Sequence, residues 1–185
     1  MTIRRARKED SKVIANILLL AMDTIIYKFI GEDSMDKASC FLAGLVRKEA
    51  NQYSYENCWV AVSGEEITGV VNVYEGADFL RLRTPVLDEI SKWSQKDLTP
   101  EIETEKGELY IDSLGVIPKL QGKGIGSNLL KYLITEYAIK DKKTLGLLVD
   151  LDNTGAGKLY HRLGFVKVGE KLLCGKKMEH LQLKC

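Results

Sequence analysis

Three glycines fall within six residues, Gln121-Gly122-Lys123-Gly124-Ile125-Gly126, between an alternating stretch over 108–116 and an apolar-periodic stretch that follows. A strand, a glycine turn and a helix in that order can do chemistry. The first N–H groups of a helix lack intrahelical acceptors and sit at the positive end of its dipole. Glycines let the backbone close on an anion and adopt dihedrals that other residues avoid. Together these features make a phosphate site. Lys123 adds a full charge, and 117–143 carries six lysines against Glu136 and Asp141. No G-x-x-x-x-G-K-[ST] string occurs, so the turn is not a P-loop. A dinucleotide fingerprint, G-x-G-x-x-G, begins at Gly122 and Gly124 but meets Ser127 in its last place. From the glycines alone, a phosphate cradle, a dinucleotide site and a plain turn all stand.

The elements that must position this turn follow from periodicity. Residues 3–6 read as a strand. Asp10 or Ser11 can cap a helix whose apolar positions run from Val13 to Ile25 at helical spacing. The stretch 31–34 breaks that helix, and a second covers 35–50. Residues 58–62 and 67–74 form a hairpin around a turn at 63–66. The region 108–116 is an alternating strand stopped by Pro118, and a helix is expected over about 127–140. Residues 145–151 are nearly all apolar, as a strand buried on both faces must be. A short helix over 153–163 ends at Gly164, and strands at 165–168 and 175–183 close the chain. The order β-α-α-β-β-β-α-β-α-β-β is a mixed α/β domain.

Between the hairpin and the alternating strand lies a long excursion, 75–107, with Pro85, Pro100 and one helix near 86–93. Eight acids against five bases give it a charge of −3. Excursions of this length are functional or disordered, and a solvated surface insert is the plain alternative.

Composition narrows the rest. The 185 residues predict one domain, 1–185, with 75–107 as its insert. A content of 45% hydrophobic and 29% charged residues, with three prolines, excludes disordered and collagen-like chains. A formal net charge of +1 argues against a nucleic-acid or membrane binder held by bulk charge. No apolar run reaches the ~20 residues of a membrane span, and no signal-type segment follows the basic start, so a cytoplasmic protein is expected. The four cysteines, Cys40, Cys58, Cys174 and Cys185, show no CxxC spacing, and with two histidines no metal site is expected.

The string 109–165 resembles the GCN5-related N-acetyltransferase (GNAT) family. Gln121, Gly124 and Gly126 match its cofactor loop, [QR]-x-x-G-x-[GA], and Leu114-Gly115-Val116-Ile117-Pro118 matches the phrase that precedes the loop. Asn153, Ala156, Tyr160, Gly164 and Phe165 fill N-x-x-A-x-x-x-Y-x-x-x-G-F. The start, Ile3-Arg4-x-Ala6-x-x-x-Asp10, looks like the family's first strand and helix entry. Gly155 and Gly157 depart from a good helix, each costing about 1 kcal/mol relative to Ala. They would let the backbone lie close to a cofactor.

The resemblance implies a central, mostly antiparallel sheet flanked by helices, and acetyl-CoA as co-substrate without a metal. Backbone N–H groups of Gln121, Gly122, Lys123, Gly124, Ile125, Gly126 and Ser127 would hold its pyrophosphate. Leu114, Gly115 and Val116 would bond its pantetheine arm, and Asn153 and Gly157 would face it. Tyr160 would protonate the departing thiolate. A base on the strand before the loop would deprotonate the amine, with Asp112 first and Glu108 second, on a face that also carries Tyr110 and Leu114. Neither His161 nor His180 looks catalytic, and both read as surface or filling residues. Tyr27, Phe29, Tyr53 and Tyr55 could line an acceptor site, and Asp23, Glu32, Asp33 and Asp36 favour a cationic acceptor. A small-molecule or peptide amine acceptor and a monomer or homodimer follow. A non-catalytic acyl-CoA sensor of the same fold is the competing reading.

Overall fold

The computed structural model describes residues 1–22, 25–94, 101–173 and 175–184. Asp23, Pro100, Cys174 and Cys185 lie outside the described residues. Seven strands form one sheet in the order β1-β2-β3-β4-β5-β7-β6: β1 is Thr2–Arg5, β2 Cys58–Ser63, β3 Glu66–Glu75, β4 Glu108–Val116, β5 Thr144–Asp150, β6 Val166–Leu173 and β7 Lys176–Leu183. Among the described residues, only β4 and β5 pair in parallel. The expected mostly antiparallel α/β sheet is the one found.

Alternation along the central strands divides the core. Cys58, Val60 and Val70 pack with helices α1 (Ser11–Leu19), α2 (Ile25–Ile30), α3 (Met35–Val46) and α4 (Phe79–Ser94) on one face. Ala61, Val71, Val73, Leu109, Ile111, Leu145 and Leu147 pack on the other face, largely with α5 (Ile125–Leu133) and Phe165. Residues buried from both sides explain the near-continuous apolar reading of β5.

Several helix expectations are corrected. The helix expected through Ile25 is two helices, α1 and α2. Asp10 does not cap α1. Its carboxylate accepts from the Arg7 N–H at 2.7 Å and pairs with Arg4. The helix after the glycine turn begins at Ile125 rather than near 127, and from Ile134 to Lys140 it widens into a π-helix. That widened part sets the Tyr137 hydroxyl 2.8 Å from Arg5 Nη2 and 3.2 Å from Trp59 Nε1. The helix expected near 86–93 starts seven residues earlier and takes Pro85 inside it. Phe79, Leu82, Arg83, Val86 and Ile90 form its buried stripe, so α4 is a core helix and not a solvated insert.

Gly115 shows how closely α1 lies on β4. A Cβ there would stand 2.3 Å from the Ile17 carbonyl oxygen, a backbone atom that cannot rotate away. Gly115→Ala should therefore force α1 off the sheet and cost about 2 kcal/mol by overpacking, read as a lower urea midpoint with unchanged slope.

Candidate functional site

β4 and β5 pair only from Glu108↔Thr144 to Ile111↔Leu147. Beyond that point β4 continues to Val116 on β3, and β5 continues to Asp150 on β7, without pairing to each other. In the β3–β4 register Val73 opposes Ile111 and Asn72 opposes Ser113. Asp112 is thus the extra residue of a β-bulge, which bends and twists its strand. The bulge falls where the ladder to β5 ends, and the strands part there. A cleft of ≈ 740 Å³ opens, walled by Asp112, Ser113 and Leu114 of β4 and by Leu148, Val149 and Asp150 of β5.

Other elements close the cleft around this parting. The C-terminal end of α1 and its following turn contribute Leu20, Ala21 and Met22, and α2 contributes Ile25 and Lys28. From α6 (Thr154–Arg162) and its cap come Asn153, Ala156, Leu159 and Tyr160. Tyr160 is partly buried, with its ring edge-on to Phe165 at 5.9 Å. Loss of solvent pushes its phenol up to about 12, so it remains a protonated donor throughout the physiological range. Asn153 caps α6 by accepting from the Ala156 N–H at 3.2 Å. Gly157 is not among the lining residues, and its missing Cβ faces open space.

The cleft floor is a polar cluster. Asp112 Oδ2 accepts from Gln52 Nε2 at 2.6 Å and from the Tyr74 hydroxyl at 2.8 Å, and Oδ1 accepts from Ser113 Oγ at 2.7 Å. Glu103 lies beside it and is 8% exposed. Arg83 of α4 donates through Nη1 to Gln52 Oε1 at 2.8 Å and stacks over Phe29. The segment bearing Glu103 is pinned by Thr104, whose hydroxyl donates to the Gly76 carbonyl at 2.8 Å.

The glycine turn stands at the far end of β4, outside the cleft's lining residues, as do Gly115 and Val116. Gly122 and Gly124 take φ of 75° and 84°, the left-handed region that favours glycine. The N–H groups of Gln121 and Lys123 already bond to the carbonyls of Pro118 and Leu120. No side chain caps α5, and helix geometry leaves the N–H groups of Ile125, Gly126 and Ser127 without intrahelical acceptors. The Gln121 side chain donates to the Val116 carbonyl at 3.1 Å and ties the turn to the end of β4.

Among the residues expected from sequence, Asp112, Leu114, Asn153 and Tyr160 therefore meet in one cleft. Glu108 does not join them. It is 1% exposed, accepts from the Glu105 N–H and from Gln182 Nε2, and lies 2.8 Å from His180 Nε2. His180 is correspondingly buried in that cluster and is not a surface residue. His161 is exposed, with Nδ1 3.1 Å from the Phe165 carbonyl. Of the four aromatic residues expected at an acceptor site, Tyr53 lines the cleft. Glu32, Asp33 and Asp36 are exposed and line none of it.

Sequence reasoning missed Gln52, Arg83 and Glu103 as site residues. Arg83 was findable, because it holds a core position of the α4 stripe. Glu103 was not: it is buried while its neighbour Ile102 is 61% exposed, the reverse of their hydropathy.

Comparison with known proteins shows the family. Residues 28–165 match the model of the acetyltransferase (GNAT) family. A structure described as an acetyltransferase aligns over 100% of this chain and 99% of its own, with 30% identity and a TM-score of 0.80. An N-acetyltransferase from Staphylococcus aureus Mu50 aligns over 99% of this chain and all of its own at 22% identity, with a TM-score of 0.84. A mycothiol acetyltransferase of Renibacterium salmoninarum is 34% identical over 96 residues, which are 51% of this chain and 28% of that protein. The match spans less than a third of the curated relative's length. The chain belongs to the GNAT family of acetyltransferases, whose members use acetyl-CoA.

The open space at Gly155 and Gly157 separates two roles for these glycines. Replacing either with Ala should raise stability by about 1 kcal/mol through helix propensity. A simultaneous fall in acetyl-CoA affinity, measured by calorimetry, would mark a close backbone approach at that position. Unchanged affinity would leave the glycine without a role in binding.

Proposed function

We propose that this chain transfers the acetyl group of acetyl-CoA to a primary amine by direct attack in a ternary complex. The parting of β4 from β5 beside Tyr160 carries the reading. It leaves backbone N–H and C=O groups on the facing edges of both strands without partners in the ladder between them, inside a cleft of ≈ 740 Å³. When bound, acetyl-CoA supplies an activated acetyl thioester.

The residues present fit that group. The β4 edge over 112–116 offers backbone partners for the amide groups of the pantetheine arm. A β4 N–H directed at the thioester oxygen would stabilise the charge that develops there. The N–H groups of Ile125, Gly126 and Ser127, with those of Gly122 and Gly124, face away from any helix ladder and suit the pyrophosphate. Leu114 and Ala156 give the acetyl end apolar walls, while Asn153 fixes the start of α6 and so the placement of Tyr160.

The chemistry divides between two side chains. Tyr160 gives its phenolic proton to the sulfur that leaves with the C–S electron pair. A thiol ordinarily titrates near 8.5, well below Tyr160, so the phenol mainly stabilises the developing thiolate by donating until sulfur has gained most of its charge. Asp112 stands at the bulge on the cleft wall, where its carboxyl group would face a cationic acceptor. Three aspartates (Asp112, Asp150, Asp152) against Lys28 and Lys176 among the lining residues also favour a cation.

Thermal unfolding with acetyl-CoA, with NAD as control, tests the cofactor. At 100 times its dissociation constant the ligand adds about 2.7 kcal/mol, a shift of several degrees at this size. A shift with NAD alone would instead support a dinucleotide at the glycine turn. Tyr160→Phe should lower kcat with acetyl-CoA affinity unchanged. Equal turnover in both proteins would remove Tyr160 from the chemistry, and absence of turnover from wild type with intact binding would favour a sensor.

A further inference from the structure

The cleft floor holds a second carboxylate that the acetyl transfer above leaves without a task. Glu103 lines the cleft, yet it comes from the segment leading into β4 and not from a strand. Gln52 ties it to Asp112. The guanidinium of Arg83 can only donate, so the oxygen of the Gln52 amide must face it and the nitrogen must face the carboxylates. That nitrogen stands 2.6 Å from Asp112 Oδ2 and 3.4 Å from Glu103 Oε1, so the two oxygens lie within 6.0 Å of each other.

The two acids are supplied unequally. Asp112 has three donors at 2.6–2.8 Å. Glu103 has two longer contacts, to Gln52 and to the Tyr110 hydroxyl at 3.2 Å. Two carboxylates this close in a buried place resist ionising together, and the less well-supplied member keeps the proton. Burial first and Asp112 second push Glu103 up to about 8, with Arg83 opposing them. The groups facing Glu103 are Asp112 and Tyr110 of β4, Tyr74 of β3, Arg83 of α4, and Gln52 and Tyr53 ahead of β2. Burial holds all three tyrosines protonated, so Asp112 and Arg83 are the charges that govern Glu103.

Building on the amine-acetylation reading, we propose that Glu103 is the proton acceptor of the reaction, taking a proton from the acceptor's ammonium group while Asp112 binds that group by its charge. An amine of pKa about 10.4 arrives protonated and has no lone pair to use. An ammonium placed beside the pair offsets the repulsion between the carboxylates and favours an ionised Glu103. One proton then passes from nitrogen to a Glu103 carboxylate oxygen, and the freed lone pair forms the N–C bond. The C–S bond breaks with its pair on sulfur, which takes the Tyr160 proton. The second nitrogen proton restores the phenol through water, the third stays on the amide, and Glu103 returns its proton to solvent.

The test follows the Glu103 carboxyl by 13C NMR in protein labelled at glutamate, alongside thiol release from acetyl-CoA with n-butylamine. One glutamate resonance should titrate near pH 8, vanish in Glu103→Gln, and move to lower pH in Asp112→Asn. Butylamine added to wild type should also move it to lower pH. Glu103→Gln should slow thiol release by 100-fold or more while leaving acetyl-CoA affinity within twofold. A Glu103 resonance titrating below pH 6, or a Glu103→Gln rate within threefold of wild type, overturns the assignment. If butylamine is not turned over, an unmoved resonance on adding it overturns the assignment equally. Asp112→Asn provides the titration readout should Glu103→Gln fail to fold. Failure of wild type to bind acetyl-CoA would instead strike the acetylation reading, with the titration still reporting the carboxylate pair.

Discussion

A parallel ladder of four residue pairs, from Glu108↔Thr144 to Ile111↔Leu147, joins the β1–β4 half of the sheet to the β5–β7 half. Both ends of that ladder are specified by acidic residues of β4. At the closed end Glu108 reaches across Gly146 of β5 to His180 and Gln182 of β7, and a Cβ at Gly146 would overlap its carboxylate. At the open end Asp112 is the extra residue of the bulge, and its side chain is gripped by Gln52 and Tyr74. One acid holds the sheet halves together, and the other marks where they separate. The placement of α1 depends on the same strand, because Gly115 lets the helix rest on β4 and brings its C-terminal end to the cleft.

The cluster beneath the cleft shows how a buried polar site can be assembled from residues far apart in sequence. Gln52 precedes β2, Arg83 lies in α4, Glu103 follows α4, and Asp112 interrupts β4. A guanidinium that cannot accept orients the amide, and the amide in turn presents its donors to the carboxylates. Arg83 is the only positive charge so placed among the described members of this cluster, which keeps two adjacent acids tolerable in a buried position.

Much of the fold was legible because the central strands carry strong patterns. The hairpin, the alternating β4 and the apolar β5 each present a local signal with a local cause. The glycine turn was equally readable, since the positive φ of Gly122 and Gly124 demands the residue type seen there. The α4 region was misread for a physical reason. Pro85 suggests a boundary, yet the helix tolerates it, and the Thr84 hydroxyl bonds back to the Leu80 carbonyl beside it. Glu103 was hidden because its burial is compensated by tertiary partners more than ten residues away as well as by Tyr110, and no local pattern encodes those. The split between α1 and α2 was likewise invisible, since apolar spacing continues across it.

The parted strands also carry a consequence for the sheet as a hydrogen-bonded object. β4 beyond Ile111 and β5 beyond Leu147 are interior strands of a seven-stranded sheet that behave along this stretch as edges. Edges ordinarily invite another strand. Here the invitation is confined to the cleft of ≈ 740 Å³, and an extended molecule bonded along its lips would take the place of missing rungs. Occupancy of the cleft is therefore also completion of the sheet, and the amide protons along both lips would record it through slower exchange with solvent.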